Sequence, residues 1–159
     1  LFDLQPEQIR VVIHPQSIVH SMVVCRDRSV LAQLGTPDMR VPIAYGLAWP
    51  DRIESGAEQL ELTQLAALSF EPADAQRFPG LPLAWEALRA PAGSTAVLNA
   101  ANEVAVAAFL DGRIRFDQIH GVNAATIATT LPTAGAAESL EGLLALDAEA
   151  RAVAAQQLE

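Results

Sequence analysis

The spacing of apolar residues changes once along this chain, and that change limits the folds open to it. From Ser17 to Cys25 and again from Ser29 to Leu34, apolar residues alternate with a period of two, and Arg26-Asp27-Arg28 separates the two runs. This pattern predicts two antiparallel strands joined as a hairpin. Beyond Pro79 the apolar residues follow a helical period instead. The sequence therefore predicts an α+β fold in which an antiparallel hairpin or sheet is followed by a C-terminal four-helix bundle.

Proline, glycine and capping residues indicate where the helices begin and end. Pro37-Asp38 predicts a helix that runs to about Trp49, just before Pro50, with Asp38 as its capping residue. Ser94 is the expected N-cap of a long helix, and Gly112 its C-terminal glycine. The other predicted elements are a strand at Ile9 to Ile13, a linker with one short strand or turn at Asp51 to Ala73, and helical segments at Leu83 to Arg89, at Phe116 to Thr130, from Ser139 onward, and at Asp147 to Leu158.

Charge and composition argue against several classes of function. The formal net charge is −9, and all ten basic residues are arginine. An acidic chain repels the phosphate backbone, so no nucleic-acid partner is expected. Without lysine there is no Schiff-base or phosphate-loop lysine. No apolar run approaches the roughly 20 residues that a membrane span needs. The single cysteine, Cys25, rules out an internal disulfide, fits a reducing compartment and is expected to be an inert, packed thiol.

Three histidines are candidates for a functional site, and each also has a structural explanation. His14 and His20 lie six residues apart, which matches neither the helical nor the strand spacing of a zinc pair. His14 precedes a proline at a strand end and is expected to make a structural hydrogen bond. His20 is either a hydrogen-bonded core histidine or a pocket residue that donates to an anionic substrate or organises a proton. His120 is expected to be a surface or packing residue.

Two further residues stay open between structural and functional interpretations. Ser17 either turns the chain after Pro15 or lines a pocket beside His20. Met39 is either a core filler or a substrate contact. The sequence contains no glycine-rich phosphate loop and no Gly-x-Ser-x-Gly elbow. The residue types and their spacing therefore do not identify a reaction.

Four blocks of the sequence resemble the 1-deoxy-D-xylulose 5-phosphate reductoisomerase family. They are HPQSIVHSM at 14–22, SVLAQLGTPDMR at 29–40, LSFEPADAQRFPGLPLAWEALR at 68–89 and TAVLNAANEVAVAAFLDGRIRF at 95–116. The first two blocks are highly specific in combination, and all four occur in the expected order. One departure is Arg28, because relatives usually have glycine after Asp27. Either a turn other than the tight type I′ turn of Asp-Gly or a less regular hairpin is therefore expected here.

The resemblance implies a homodimeric enzyme with an NADPH-binding Rossmann domain, a central catalytic domain and a C-terminal helical domain in each subunit. On this basis residues 1–50 are the C-terminal part of the central catalytic and dimerisation domain, 51–76 are a linker, and 77–159 are the helical domain. The family rearranges 1-deoxy-D-xylulose 5-phosphate and reduces the product with NADPH to 2-C-methyl-D-erythritol 4-phosphate, a step of non-mevalonate isoprenoid biosynthesis. Mg²⁺ or Mn²⁺ holds the substrate oxygens.

Carried over residue by residue, the resemblance implies a supporting catalytic role for His20 and a place in the substrate pocket for Ser17, Pro37 and Met39. The family's nucleotide loop, metal carboxylates and principal phosphate-binding residues precede the HPQS block, so no cofactor-binding or metal-binding residue is expected in this chain. We therefore expect a C-terminal piece of a bacterial cytoplasmic enzyme, inactive by itself, that forms a homodimer through its hairpin and sheet region. The alternative is a non-catalytic dimerisation or interaction module derived from that fold.

Overall fold

The computed structural model describes residues 4–133 and 135–158. These residues form two compact units. One comprises residues 10–73, and the other comprises residues 4–9 together with 74–158. Among the described residues, the first unit carries the strands, one α-helix and a short 3-10 helix (Leu62–Gln64), and the second carries four α-helices and a short 3-10 helix (Pro6–Gln8). The α+β class expected from the change in periodicity is therefore confirmed.

The smaller unit contains two separate two-stranded antiparallel sheets. Strand β1 (Val12–Ile13) pairs with β4 (Glu71–Pro72), while β2 (Val19–Val24) and β3 (Val30–Leu34) form the predicted hairpin. The pairing of β1 with β4 means that the segment 51–73 contributes a strand to this unit, as its pattern predicted. Helix α1 (Arg40–Ala48) follows the hairpin. The domain boundaries expected near residues 50 and 76 stay predictions.

A three-residue loop joins the two strands of the hairpin. Arg28 donates its amide to the carbonyl of Cys25 at 3.0 Å, and its own backbone is left-handed, with φ of 72°. This geometry corresponds to a type I turn closed by a left-handed residue, a common alternative to the two-residue type I′ turn. The carboxylate of Asp27 accepts from the hydroxyl of Ser29 at 2.6 Å and from its amide at 2.9 Å. These bonds lower the pKa of Asp27. The expected departure from a tight Asp-Gly turn is confirmed.

Four helices make up the larger unit, as predicted. They are α2 (Gly80–Arg89), α3 (Ser94–Leu110), α4 (Gln118–Thr129) and α5 (Leu140–Gln156). The segment that opens at Ser139 and the amphipathic stretch after it are one helix, α5, capped by the Ser139 hydroxyl, which accepts from the Gly142 amide at 3.0 Å. The expected N-cap at Ser94 is wrong. Gly93 occupies that position with φ of 100°, and the Ser94 hydroxyl donates to the carbonyl of Pro91.

Alanine forms the centre of the helical unit. Helix α3 packs against α2, α4 and α5, and fully buried alanines line its contacts: Ala100, Ala101, Ala105 and Ala108 on α3, with Ala150 and Ala154 on α5. Small side chains let helix axes approach closely, and alanine also has the highest helix propensity. Larger side chains complete two clusters around these alanines. Val97 and Leu146 pack with Ala100 and Ala150, and Val122 packs with Ala101, Ala105 and Ala154. The high alanine content is therefore used to build a closely packed bundle.

None of the helices in the described part of the chain is both long enough and apolar enough to cross a bilayer.

Candidate functional site

A proline turn sets the start of the site. The amide of Ser17 donates to the carbonyl of His14 at 3.0 Å, which closes a β-turn with Pro15 at its second position, where the fixed φ of proline is favoured. Ser17 itself is left-handed, with φ of 53°. That conformation changes the direction of the chain at Ser17, so that the buried Ile18 follows and β2 begins at Val19. Ser17 is therefore a turn residue, and its effect on the site comes through its backbone.

His14 has a structural role, as expected. Its Nδ1–H donates to the carbonyl of Ser69 at 2.8 Å, and its ring stacks on Phe70 with 4.8 Å between centroids. Gln16 binds the same residue, since its amide group donates to the Ser69 hydroxyl at 2.9 Å. These contacts fasten the turn to the segment that leads into β4. His14 does not line the cavity described below.

A β-bulge displaces His20 from the regular strand pattern. Val19 pairs with Leu34 and Ser21 pairs with Gln33, so His20 is the extra residue on β2. Bulges change the direction in which a side chain points and occur often beside active sites. His20 is exposed, and its Nε2–H donates to the carbonyl of Ser17 at 3.1 Å. The interpretation of His20 as a core histidine is therefore wrong.

The hydrogen bond to Ser17 determines which nitrogen of His20 is available. A carbonyl can only accept, so Nε2 carries the proton, and Nδ1 of the neutral ring keeps its lone pair. The ring lies beside Gly35, the residue that follows β3. His20 therefore presents an acceptor, or a second donor when it is protonated.

A cavity of about 520 Å³ lies at the end of the hairpin, between β3 and α1. It brings together His20, Pro37 and Met39, three of the four predicted site residues; Ser17 lies outside it and is connected through its carbonyl to His20. The remaining lining residues are Gln33, Gly35, Thr36, Asp38, Val41, Pro42, Tyr45 and Arg52. Its size is that of a small-molecule site, with apolar walls and a few polar groups.

Met39 and Asp38 form the entrance to α1. Met39 is 71% exposed, so it is not a core filler. The Asp38 carboxylate accepts from the Arg40 amide at 2.9 Å and from the Arg40 guanidinium through both oxygens. The N-cap position is Met39, so the predicted cap at Asp38 is wrong by one residue, although the Asp38 carboxylate still accepts from the first amide of the helix. The side-chain hydrogen bonds with Arg40 are the main reason why the pKa of Asp38 is lowered.

Two residues that the sequence did not single out also line the cavity. Tyr45 lies on α1, and Arg52 lies in the segment predicted to be a linker. The Arg52 guanidinium carbon lies 3.9 Å from the centre of the Tyr45 ring. No motif identifies either residue, because an aromatic residue on a helix and an arginine in a loop are both common on protein surfaces.

The other candidate residues do not line this cavity. His120 is half-buried on α4 of the helical unit, which agrees with a packing role. Cys25 is a free, half-buried thiol at the end of the hairpin strand. Residues 4–133 and 135–158 contain no group of three His, Cys, Asp or Glu side chains that could hold a metal ion. The residues described therefore do not fit a metal centre.

Comparison with known proteins identifies the family. Residues 34–153 match the family model described as the DXP reductoisomerase C-terminal domain. The chain belongs to the DXP reductoisomerase family. The reductoisomerase of Cupriavidus metallidurans is 58% identical over 160 residues, which are 99% of this chain and 40% of that protein. The family resemblance carried by the four sequence blocks is thus confirmed.

Two solved reductoisomerases have the same fold over nearly the whole chain. The Zymomonas mobilis enzyme in complex with NADPH is 46% identical with a TM-score of 0.88, and the match covers 99% of this chain and 41% of that one. A DOX-P reductoisomerase in complex with NADPH, fosmidomycin and magnesium is 44% identical with a TM-score of 0.90, covering 99% and 40%. The chain therefore spans about 40% of the length of the reductoisomerases it matches.

Proposed function

We propose that this chain forms one wall of the substrate pocket of a 1-deoxy-D-xylulose 5-phosphate reductoisomerase. The reaction is the NADPH-dependent conversion of 1-deoxy-D-xylulose 5-phosphate to 2-C-methyl-D-erythritol 4-phosphate in non-mevalonate isoprenoid biosynthesis. The observation that carries this proposal is the convergence of His20, Pro37 and Met39 on one cavity. The bacterial cytoplasm is the proposed compartment, in keeping with bacterial relatives and the free Cys25.

His20 has the chemistry of a substrate-orienting residue. Its Nδ1 accepts a hydrogen bond from a substrate hydroxyl, while the Ser17 carbonyl holds Nε2 and fixes the ring. A hydrogen bond from a fixed ring orients a reacting group with little loss of entropy at the moment of reaction. Pro37 and Met39 supply apolar walls that exclude water from the same space. His20 is the supporting catalytic residue in this proposal, and Ser17 positions it.

We assign the cofactor chemistry to other parts of the full-length enzyme. One structural relative is a complex with NADPH, and another is a complex with NADPH, fosmidomycin and magnesium. When bound, NADPH would supply the hydride, and Mg²⁺ or Mn²⁺ would hold substrate oxygens. Since the described residues offer no metal cluster, this chain by itself is proposed to be inactive. The alternative is a non-catalytic interaction module derived from the reductoisomerase fold. Activity of a complete enzyme that contains this chain distinguishes a part of the catalyst from such a module.

A chimeric enzyme tests the proposal. The segment of the Cupriavidus metallidurans reductoisomerase that this chain matches is replaced by the chain, and NADPH oxidation is followed with the sugar phosphate and Mg²⁺. The kcat of a folded chimera should lie within about ten-fold of the kcat of the parent enzyme. A ten-fold loss corresponds to about 1.4 kcal/mol, which is the contribution of one modest interaction lost at the new junctions. The chain alone should show no turnover. A chimera that folds but lacks activity would instead favour the non-catalytic module.

We also propose that a second copy of the chain covers the hairpin. Val23 and Leu31 are cross-strand partners and are 61% and 66% exposed, and the pair Val24 and Val30 is equally uncovered. An isolated two-stranded sheet is only marginally stable in water, so these apolar side chains require a partner surface. A homodimer through the hairpin and sheet region supplies one.

Sedimentation of the chimera distinguishes a dimer from other partners. Leu31→Glu should convert it to a monomer, since a charge would be buried at the interface without a partner. Leu144→Glu, at an exposed site on α5, is the matched control and should leave the dimer intact. If both variants sediment as dimers, the hairpin is excluded as part of the dimer interface.

A further inference from the structure

The turn that precedes His20 is anchored to a distant segment of the chain. Strand β1 pairs with β4, and Ile13 lies opposite Glu71. One step further in the same antiparallel register, His14 lies opposite Phe70, and the two rings stack with 4.8 Å between their centroids and 19° between their planes. Cross-strand aromatic pairs stabilise antiparallel strands. The stacked pair therefore extends the pairing of two very short strands up to the turn.

Two side chains of the turn bind Ser69, which lies next to Phe70. Nδ1–H of His14 donates to the Ser69 carbonyl at 2.8 Å. The side-chain amide of Gln16 donates to the Ser69 hydroxyl at 2.9 Å, and its carbonyl oxygen accepts from the Ser69 amide at 3.3 Å. Within residues 4–133 and 135–158, the buried Nε2 of His14 has no hydrogen-bond partner. His14 therefore holds the turn through Nδ1 and through the face of its ring.

The anchored turn fixes the carbonyl that holds His20. Ser17 has φ of 53°, a left-handed conformation that is unfavourable for a residue with a side chain and persists where neighbouring contacts impose it. Before this residue, the Ser17 amide donates to the His14 carbonyl at 3.0 Å. After it, Ile18 is buried and its carbonyl accepts from the Gly35 amide at 3.0 Å. The direction of the Ser17 carbonyl, which accepts from Nε2–H of His20 at 3.1 Å, is therefore set from both sides.

We propose that His14 is a positioning residue of the pocket, which orients the ring of His20 through the carbonyl of Ser17. His14 does not line the cavity, so its contribution reaches a ligand only through that carbonyl. Gln16 supports the same turn through Ser69. The proposal rests on the proposed function, in which Nδ1 of His20 accepts a hydrogen bond from a substrate hydroxyl. A ring that is held in place orients this hydroxyl with less loss of entropy than a mobile ring.

The mobility of the His20 ring in the full chain tests this link first. NMR relaxation gives order parameters for the Ser17 amide and for the ring of His20. His14→Phe keeps the stack on Phe70 but loses the donor at Nδ1. This variant should lower the order parameter of Ser17 from about 0.85, the value of a rigid backbone, toward about 0.6, and should lower that of the His20 ring with it. His14→Asn places an amide N–H where Nδ1–H lay and should retain most of the order.

Two more variants of the full chain complete this test. If His14→Phe does not fold, Gln16→Leu, which removes the bonds of Gln16 to Ser69 and keeps His14, should lower the same order parameters. Ser29→Ala loses a hydrogen bond of 2.6 Å in the hairpin loop and is the matched control, in which the order of the His20 ring should be unchanged. A rigid His20 ring in His14→Phe or in Gln16→Leu, or an equal loss of order in Ser29→Ala, would overturn the proposal.

Kinetics of the chimeric enzyme show whether the effect passes through His20. His14→Phe should lower kcat/KM for the sugar phosphate by about ten-fold, the value of one hydrogen bond, and leave the KM of NADPH within about three-fold. His14→Asn should recover to within about three-fold of the parent. In a His20→Gln background the acceptor to be positioned is gone, so His14→Phe should cost less than about two-fold there. A loss of about ten-fold in both backgrounds would overturn the proposal, because His14 would then act independently of His20.

The chimera also separates failure of the His14 role from failure of the proposed function. An active chimera in which His14→Phe leaves kcat/KM unchanged would overturn the role of His14 alone. An inactive but folded chimera would overturn the proposed function, while the order parameters of the full chain would still decide whether His14 holds the ring of His20.

Discussion

Gly93→Ala should destabilise the helical unit more than a glycine-to-alanine change that alters backbone strain alone, because it also creates a clash. Gly93 caps α3 with φ of 100°, and a methyl group built on it would lie 2.8 Å from Cδ2 of Leu146. A left-handed conformation costs an L-residue roughly 1–2 kcal/mol. Leu146 is only 5% exposed and packs in the core, so it cannot turn into solvent to make room. Overpacking of this kind adds about 1–3 kcal/mol.

Gly112→Ala is the matched control for this prediction. Gly112 also has a positive φ, 72°, but no atom lies within 4 Å of the added methyl group. Both variants share the backbone strain and the gain from a less flexible unfolded chain. The difference in unfolding free energy, about 1–3 kcal/mol, therefore measures the clash with Leu146. It is a large part of the stability of an ordinary domain.

Urea unfolding followed by far-ultraviolet circular dichroism provides the measurement, since α2 to α5 contain most of the helical residues. In a Leu146→Ala background the colliding methyl is gone, so Gly93→Ala should cost less there than in the parent chain. Equal costs for the Gly93 and Gly112 variants, together with no coupling to Leu146, would refute the packing argument.

Three further predictions concern the hairpin and its histidine. Arg28→Gly should stabilise the hairpin by about 0.5–1 kcal/mol because it relieves the left-handed strain, whereas Arg26→Gly should weaken the hairpin. Amide hydrogen exchange of β2 and β3 measures both effects. Equal protection in the two variants would contradict the turn assignment. The hydrogen bonds from Ser29 lower the pKa of Asp27 below 3.8. Their stabilisation of the fold is therefore present above pH 3.8 and is lost as the pH falls through the lowered pKa. An NMR titration of Ser29→Ala should show a higher pKa for Asp27, and an unchanged pKa would exclude the Ser29 hydroxyl as the cause. Long-range ¹H–¹⁵N spectra of neutral His20 should show the proton on Nε2, and a proton on Nδ1 would exclude the bond to the Ser17 carbonyl.

The fold was predictable because its signals are local and repeated. Alternation identified β2 and β3, and the helical period identified the bundle, including its long alanine-rich helix α3. The details that failed depend on contacts between distant residues. Ser94 has the side chain of an N-cap, yet Gly93 takes the position because the chain enters α3 with positive φ. The single long helix α5 was divided because its glycine, Gly142, lies inside the first turn.

The candidate site was predictable only through the family resemblance. Residue types alone gave His20 a place in the core, since strict alternation puts it on one face with apolar neighbours. The bulge at His20 breaks that alternation, and no residue pattern marks it. Arg52 and Tyr45 were missed for a related reason. Their stacking joins α1 to the loop after it, and such a contact appears only when the chain is folded.

The central claim is that His20 faces the substrate, and its most direct test is kcat/KM of the chimeric reductoisomerase carrying His20→Gln, compared with His120→Gln. Glutamine can still donate to the Ser17 carbonyl but lacks the acceptor at Nδ1. The His20 variant should lose about 10- to 100-fold in kcat/KM, the value of one well-placed hydrogen bond, with an unchanged melting temperature. His120→Gln, on α4 of the other unit, should stay near the parent. Equal kcat/KM values for the two variants would contradict the assignment of His20 to the pocket.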